Sequence, residues 1–96
     1  DKALEINPRF ANAWVGKGNA LYRLGKHQEG IASYDRALEI NPRYAGAWYN
    51  KATVEDGLGL KKEAILSYKN FIELAPTQYA EEIKYTCKRL RELEER

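Results

Sequence analysis

The sequence predicts an all-α fold, a solenoid of stacked helical hairpins closed by a C-terminal capping helix. Three observations carry that prediction. The stretch DKALEINPRFANAW, Asp1–Trp14, returns 34 residues later as DRALEINPRYAGAW, Asp35–Trp48, changed only at Lys2/Arg36, Phe10/Tyr44 and Asn12/Gly46. Apolar residues recur at helical spacing in runs of about 12 to 16 residues. Proline and glycine punctuate the runs at matching points of each copy. A period of this length belongs to repeated units that cannot bury their apolar faces alone and complete their cores on their neighbours.

The elements follow in order from the punctuation. Asp1–Ile6 reads as the end of a preceding second-type helix, and residues 1–8 as the end of a preceding repeat. Asn7-Pro8, Asn41-Pro42 and Ala75-Pro76 end helices, because proline turns its predecessor away from helical geometry. Gly25 and Gly59 suit left-handed C-terminal caps. A full repeat over 9–42 then holds helices near Phe10–Leu24 and Gln28–Ile40. A second over 43–76 holds helices near Tyr44–Leu58 and Lys61–Leu74. The remaining 77–96 form a long capping helix, Gln78–Glu95, with Tyr79, Ile83, Cys87, Leu90 and Leu93 as its apolar stripe and a charged remainder. No segment reads as a strand.

Within each unit, Trp14 and Trp48 are expected to be largely buried anchors. Ile31, Tyr34 and Leu38 share one face of a second helix, as do Ile65, Tyr68 and Ile72. Small residues recur where backbones must approach: Ala3/Ala37, Gly18/Ala52 and Gly30/Ala64.

These marks together resemble the tetratricopeptide repeat, whose 34-residue pattern runs W-x2-L-G-x2-Y, A-x3-F, P. The first full unit supplies Trp14, Lys17, Gly18, Leu21, Gly30, Tyr34, Ala37 and Pro42; the second supplies Trp48, Lys51, Ala52, Glu55, Ala64, Tyr68, Phe71 and Pro76. Three departures stand out. Lys17 and Lys51 replace the leucine, and their aliphatic stems can still cover apolar surface. Phe71 stands where Ala37 stood, so the last junction must pack differently. Glu82 stands where a third unit would need its tryptophan, which makes the last helix a cap and this chain the C-terminal end of a longer array.

The resemblance implies a right-handed superhelix and a protein-binding, non-enzymatic role in the concave groove of the first helices. Carried over by position, the groove residues are Asn12, Val15, Gly16, Asn19, Tyr22 and Arg23 in the first unit. In the second they are Gly46, Tyr49, Asn50, Thr53, Asp56 and Gly57. The peptide-binding set expected from these is Asn12, Val15, Asn19, Tyr22, Arg23, Tyr49, Asn50 and Thr53, with Lys84 from the cap. Asn19 and Asn50 carry amides that can meet both backbone carbonyls and N–H groups. Tyr22 and Tyr49 add stiff area with a polar tip. A C-terminal-carboxylate clamp known in the family is matched incompletely, because Val15 and Ala80 stand where it needs lysines.

Composition removes other classes. Net charge is only +2, hydrophobic content 44 % and charged content 31 %. No apolar run approaches the roughly 20 residues of a membrane span. The lone Cys87 forms no CxxC spacing and favours a reducing, cytoplasmic compartment. It reads as a buried thiol on the cap's stripe, and His27 as a solvated turn residue. No phosphate loop, acid pair or metal cluster appears, so no cofactor or metal is expected. The competing partner is RNA or another nucleic acid, met by Arg9, Lys17, Arg23, Arg43 and Lys51 with Tyr22 and Tyr49 for stacking, although Glu55 and Asp56 interrupt that stripe. An uncovered face at the first repeat would also favour self-association through this end.

Overall fold

A computed structural model describes residues 8–95, and the expectations placed on Asp1–Ile6 lie outside them. Among the described residues there are five α-helices: α1 Pro8–Arg23, α2 His27–Ile40, α3 Ala45–Gly57, α4 Lys61–Leu74 and α5 Ala80–Glu94. The fold is all-α. Each helix packs mainly on its neighbour in sequence, giving hairpins α1/α2 and α3/α4, α3 set against α2, and α5 laid on α4.

The helix ends have local causes. Gly25 and Gly59 take φ of 83° and 79°, the left-handed region that favours glycine. Just beyond them, Lys26 N–H donates to the Leu21 carbonyl at 2.8 Å and Leu60 N–H to that of Glu55 at 2.9 Å. That is a Schellman closure at the same point of both repeats. α2 stops at Asn41, whose side-chain oxygen accepts the Arg43 N–H at 3.1 Å and turns the chain around Pro42.

Two cores run through the stack. One joins Ala11, Val15, Tyr34, Ala37, Leu38, Ala47 and Val54 across both repeats. The other joins Ala52, Ala64, Tyr68, Leu90 and Leu93, so the cap completes the second repeat. Close approach explains Gly18: a Cβ there would lie 2.6 Å from the Tyr34 ring and 3.0 Å from the Gly30 carbonyl.

Several expectations need correcting. Trp14 and Trp48 are half-buried and edge the first core rather than fill it. Their rings are covered by cations: Lys17 and Arg36 sit over Trp14 at 5.0 and 5.3 Å, and Lys51 over Trp48 at 5.3 Å. The Trp48 indole N–H donates to the Pro42 carbonyl at 2.9 Å. The fully buried aromatics are Tyr34, Tyr68 and Phe71. Phe71 meets Tyr49 and Tyr79 at ring separations of 4.8 and 5.6 Å, which is how the last junction differs from that at Ala37.

The final helix starts at Ala80, because Pro76 first directs a 3-10 turn over Thr77–Tyr79. Its buried stripe is Thr86, Leu90 and Leu93, with Ile83 half-buried. Cys87 lies one position off that face and is exposed.

Ser33 and Ser67 occupy equivalent positions but do different things. Ser33 Oγ donates to the Glu29 carbonyl one turn back, whereas Ser67 Oγ donates to the buried Glu55 carboxylate at 2.7 Å. Glu55 is 3 % exposed and occupies the place that Leu21 holds in the first repeat. Burial raises its pKa above the ordinary 4.5, against the opposing pull of Ser67 and Lys51. A raised folded pKa contributes stability below the unfolded value that is lost as pH rises through the folded one. Glu55→Gln should therefore abolish a loss of stability that begins near pH 4.5 and grows upward. The gain at pH 7 should be on the order of 1 kcal/mol, read from urea melts across pH; a parent and variant with parallel profiles would refute it.

Candidate functional site

The residues expected to face a groove lie on α1, α3 and α5. Asn12, Tyr22 and Arg23 are exposed on α1, and Asn19 is half-buried. On α3, Tyr49, Asn50 and Thr53 are half-buried. Lys84 is exposed on α5. Val15 departs from the expected set, since it is only 9 % exposed and belongs to the first core with Ala11 and Tyr34. Its place on α1 turns it into the packed seam, so it offers a ligand almost nothing.

Asn19 and Asn12 are held by tyrosines, Tyr34 on α2 and Tyr44 at the N-cap of α3. Tyr34 Oη donates to Asn19 Oδ1, and Asn50 Nδ2 donates to the same oxygen at 3.3 Å. Tyr44 Oη donates to Asn12 Oδ1. Burial raises the phenol pKa of Tyr34 and of Tyr44, which keeps both as donors at neutral pH. The consequence is directional: the side-chain carbonyls of Asn12 and Asn19 are engaged, so each presents its NH₂. This edge of the groove therefore favours ligand groups that accept hydrogen bonds.

The other residues are less free than their positions suggested. Thr53 Oγ1 donates to the Asn50 carbonyl at 2.8 Å. Tyr49 is occupied on one face by Phe71. Tyr22 stacks on His27 at 4.9 Å yet stays 47 % exposed. A Cβ at Gly46 would meet Tyr44 and Tyr79 at 3.2 and 3.3 Å, whereas Gly16 and Gly57 face open space.

Asp56 is committed to the cap. Arg89 grips it with Nε and Nη2, both at 2.7 Å, Tyr68 Oη donates to it at 3.0 Å, and Arg89 Nη1 reaches Glu92 at 3.1 Å. The Arg89 guanidinium holds the Asp56 carboxyl below its ordinary pKa, burial opposing and Tyr68 assisting. Beside this cluster α3 and α5 leave a cleft of about 440 Å³, lined by Thr53, Gly57, Tyr85 and Lys88 among others.

Two of the five cations expected to meet nucleic acid, Lys17 and Lys51, are engaged within the chain. Lys17 lies over Trp14 in a separate depression with Leu21, Ser33 and Arg36. Lys51 is paired with Asp35 at 2.7 Å. Both lie over tryptophan rings. Lys84, Lys88 and Arg91 do share a surface, on the face of α5 that its packing leaves open. Among the described residues no group of three potential metal-ligating side chains comes together, and no helix is long and apolar enough to cross a membrane.

Comparison with known proteins finds two consecutive matches along the chain. A family model described as tetratricopeptide repeat matches residues 11–44, and a second of the same description matches 45–78. No curated protein matched the chain.

Proposed function

The chain belongs to the tetratricopeptide repeat family, and on that premise we propose that it is a non-enzymatic scaffold holding an extended or acidic peptide in its groove. Repeats of this family generally serve as protein–protein interaction modules. The observation that carries the finer reading is the tyrosine-anchored asparagine edge. Tyr34 and Tyr44 engage the side-chain oxygens of Asn19 and Asn12, which leaves their amide N–H groups to serve as donors. Pre-oriented donors suit the backbone carbonyls and carboxylates of an extended segment, and they lose little entropy on binding.

A peptide-array screen with paired variants tests this. Asn12→Asp/Asn19→Asp keeps an oxygen for each tyrosine but removes the N–H donors, so the fold should persist while bound peptides lose roughly tenfold or more in affinity, the scale of a lost charge-assisted contact. Asn19→Ala/Asn50→Ala should weaken the same peptides. Undiminished binding by both variants would remove the groove reading. Single-stranded oligonucleotides titrated at two salt concentrations supply the contrary outcome, since tight binding with a steep salt slope would favour nucleic acid instead.

A further inference from the structure

We propose that Lys84, Lys88 and Arg91 on the capping helix form a docking strip for acidic side chains of an extended peptide, adjoining the cleft between α3 and α5. This deepens the groove reading and rests on it for the partner's class, though not for the strip's own chemistry.

The three residues follow spacings of four and three on α5, so they share one helix face, and all are exposed. Four cations elsewhere are tied into ion pairs: Arg36 with Glu39, Lys51 with Asp35, Lys69 with Glu94, Arg89 with Asp56 and Glu92. That pattern also engages two of the acids α5 carries. Glu92 is held by Arg89 and Glu94 by Lys69, while Glu81 borders the strip at one end and exposed Glu95, four residues past Arg91, at the other. Three cations against Glu81 and Glu95 leave the strip itself a surplus of one positive charge.

Shape agrees with charge. Lys84, Lys88 and Arg91 line a shallow depression with Tyr85, Cys87 and Glu81. Tyr85 and Lys88 also line the cleft against Thr53, Asp56 and Gly57 of α3, so the two depressions adjoin at these side chains. Lys84 to Arg91 spans about 10 Å at the helical rise. Alternate side chains of an extended chain lie about 6.6 Å apart, so two acids at alternate positions fit along the strip. Tyr85, 47 % exposed, supplies a flat wall for their methylenes.

The test uses fluorescein-labelled hexaglutamate as probe, hexaglutamine as neutral control and a twelve-nucleotide oligothymidylate as an anion of another class. For the parent, hexaglutamate should bind more tightly than hexaglutamine, and salt should weaken it. The triple variant Lys84→Glu/Lys88→Glu/Arg91→Glu should lose at least tenfold in hexaglutamate affinity. The exchange Lys84→Arg/Lys88→Arg/Arg91→Lys should retain it. If the reversed variant melts early, Lys84→Gln/Lys88→Gln/Arg91→Gln should show the same loss in a folded protein. Unchanged hexaglutamate binding by the glutamine set overturns the proposal, as does oligothymidylate binding more tightly than hexaglutamate. The Asn12→Asp/Asn19→Asp variant separates the two readings. Loss on the strip variants alone supports the strip and counts against the asparagine edge; loss on the asparagine variant alone does the reverse.

Discussion

Truncating Phe71 to alanine is expected to lower the unfolding free energy by about 3–5 kcal/mol, the cost of deleting a fully buried aromatic and leaving a cavity. Phe71 is 0 % exposed and lies between Tyr49 of α3 and Tyr79 in the turn that leads to α5. It therefore ties the second hairpin to the segment that positions the cap. A domain of this size has about 5–15 kcal/mol in hand, so the variant should melt far below the parent. Trp48→Ala should cost less, because that ring is half-buried with one edge at the surface. The ranking is the sharper test. Thermal and urea melts in which Trp48→Ala is the more damaging would show that the core is not centred where Phe71 stands.

Asp56→Ala should be the next most costly change, at about 2–3 kcal/mol, because it strands a partly buried guanidinium and the Tyr68 hydroxyl at once. The side chains of Arg89 and Asp56 are 27 % and 11 % exposed, well shielded for an ion pair. Arg89→Ala should cost a similar amount, and the double variant little more than either single, giving a coupling of about 1–3 kcal/mol. Additive losses would mean the pair does not act as a unit. The pH dependence has a definite sign. The Asp56 pKa is lowered on folding, so its contribution is present above the unfolded value near 3.8 and is lost as pH falls through the folded one. Acid melts of the parent should show that loss below about pH 4, and Asp56→Asn should not. Glu55, next in the chain, has the opposite sign and acts above pH 4.5.

These adjacent acids show what a repeat register can and cannot reveal. Both were placed on α3 by the pattern, yet Glu55 points into the hairpin and is met by Ser67, while Asp56 reaches the cap. Asn19 and Asn50 were readable as groove residues from position alone. Their coupling through one oxygen, and the role of Tyr34 behind them, joins residues 15 and 31 apart in the chain. Thr86, fully buried with no hydrogen-bond partner for its hydroxyl, and Cys87, exposed beside it, both follow from a rotation of α5 that no local signal sets.

The sequence by itself determined the all-α repeat architecture: the 34-residue period, the order of the helices and the glycine ends. Each of these is a local matter of backbone geometry or apolar spacing, repeated until it could not be missed. The tertiary structure alone decided which face of α5 is buried, that Val15 belongs to the core, that the tryptophans edge it, and which charges remain unpaired. Those outcomes depend on contacts between residues far apart in the chain. There the choice among several amphipathic orientations is made by the summed fit of neighbouring helices, and no short stretch of sequence carries that sum.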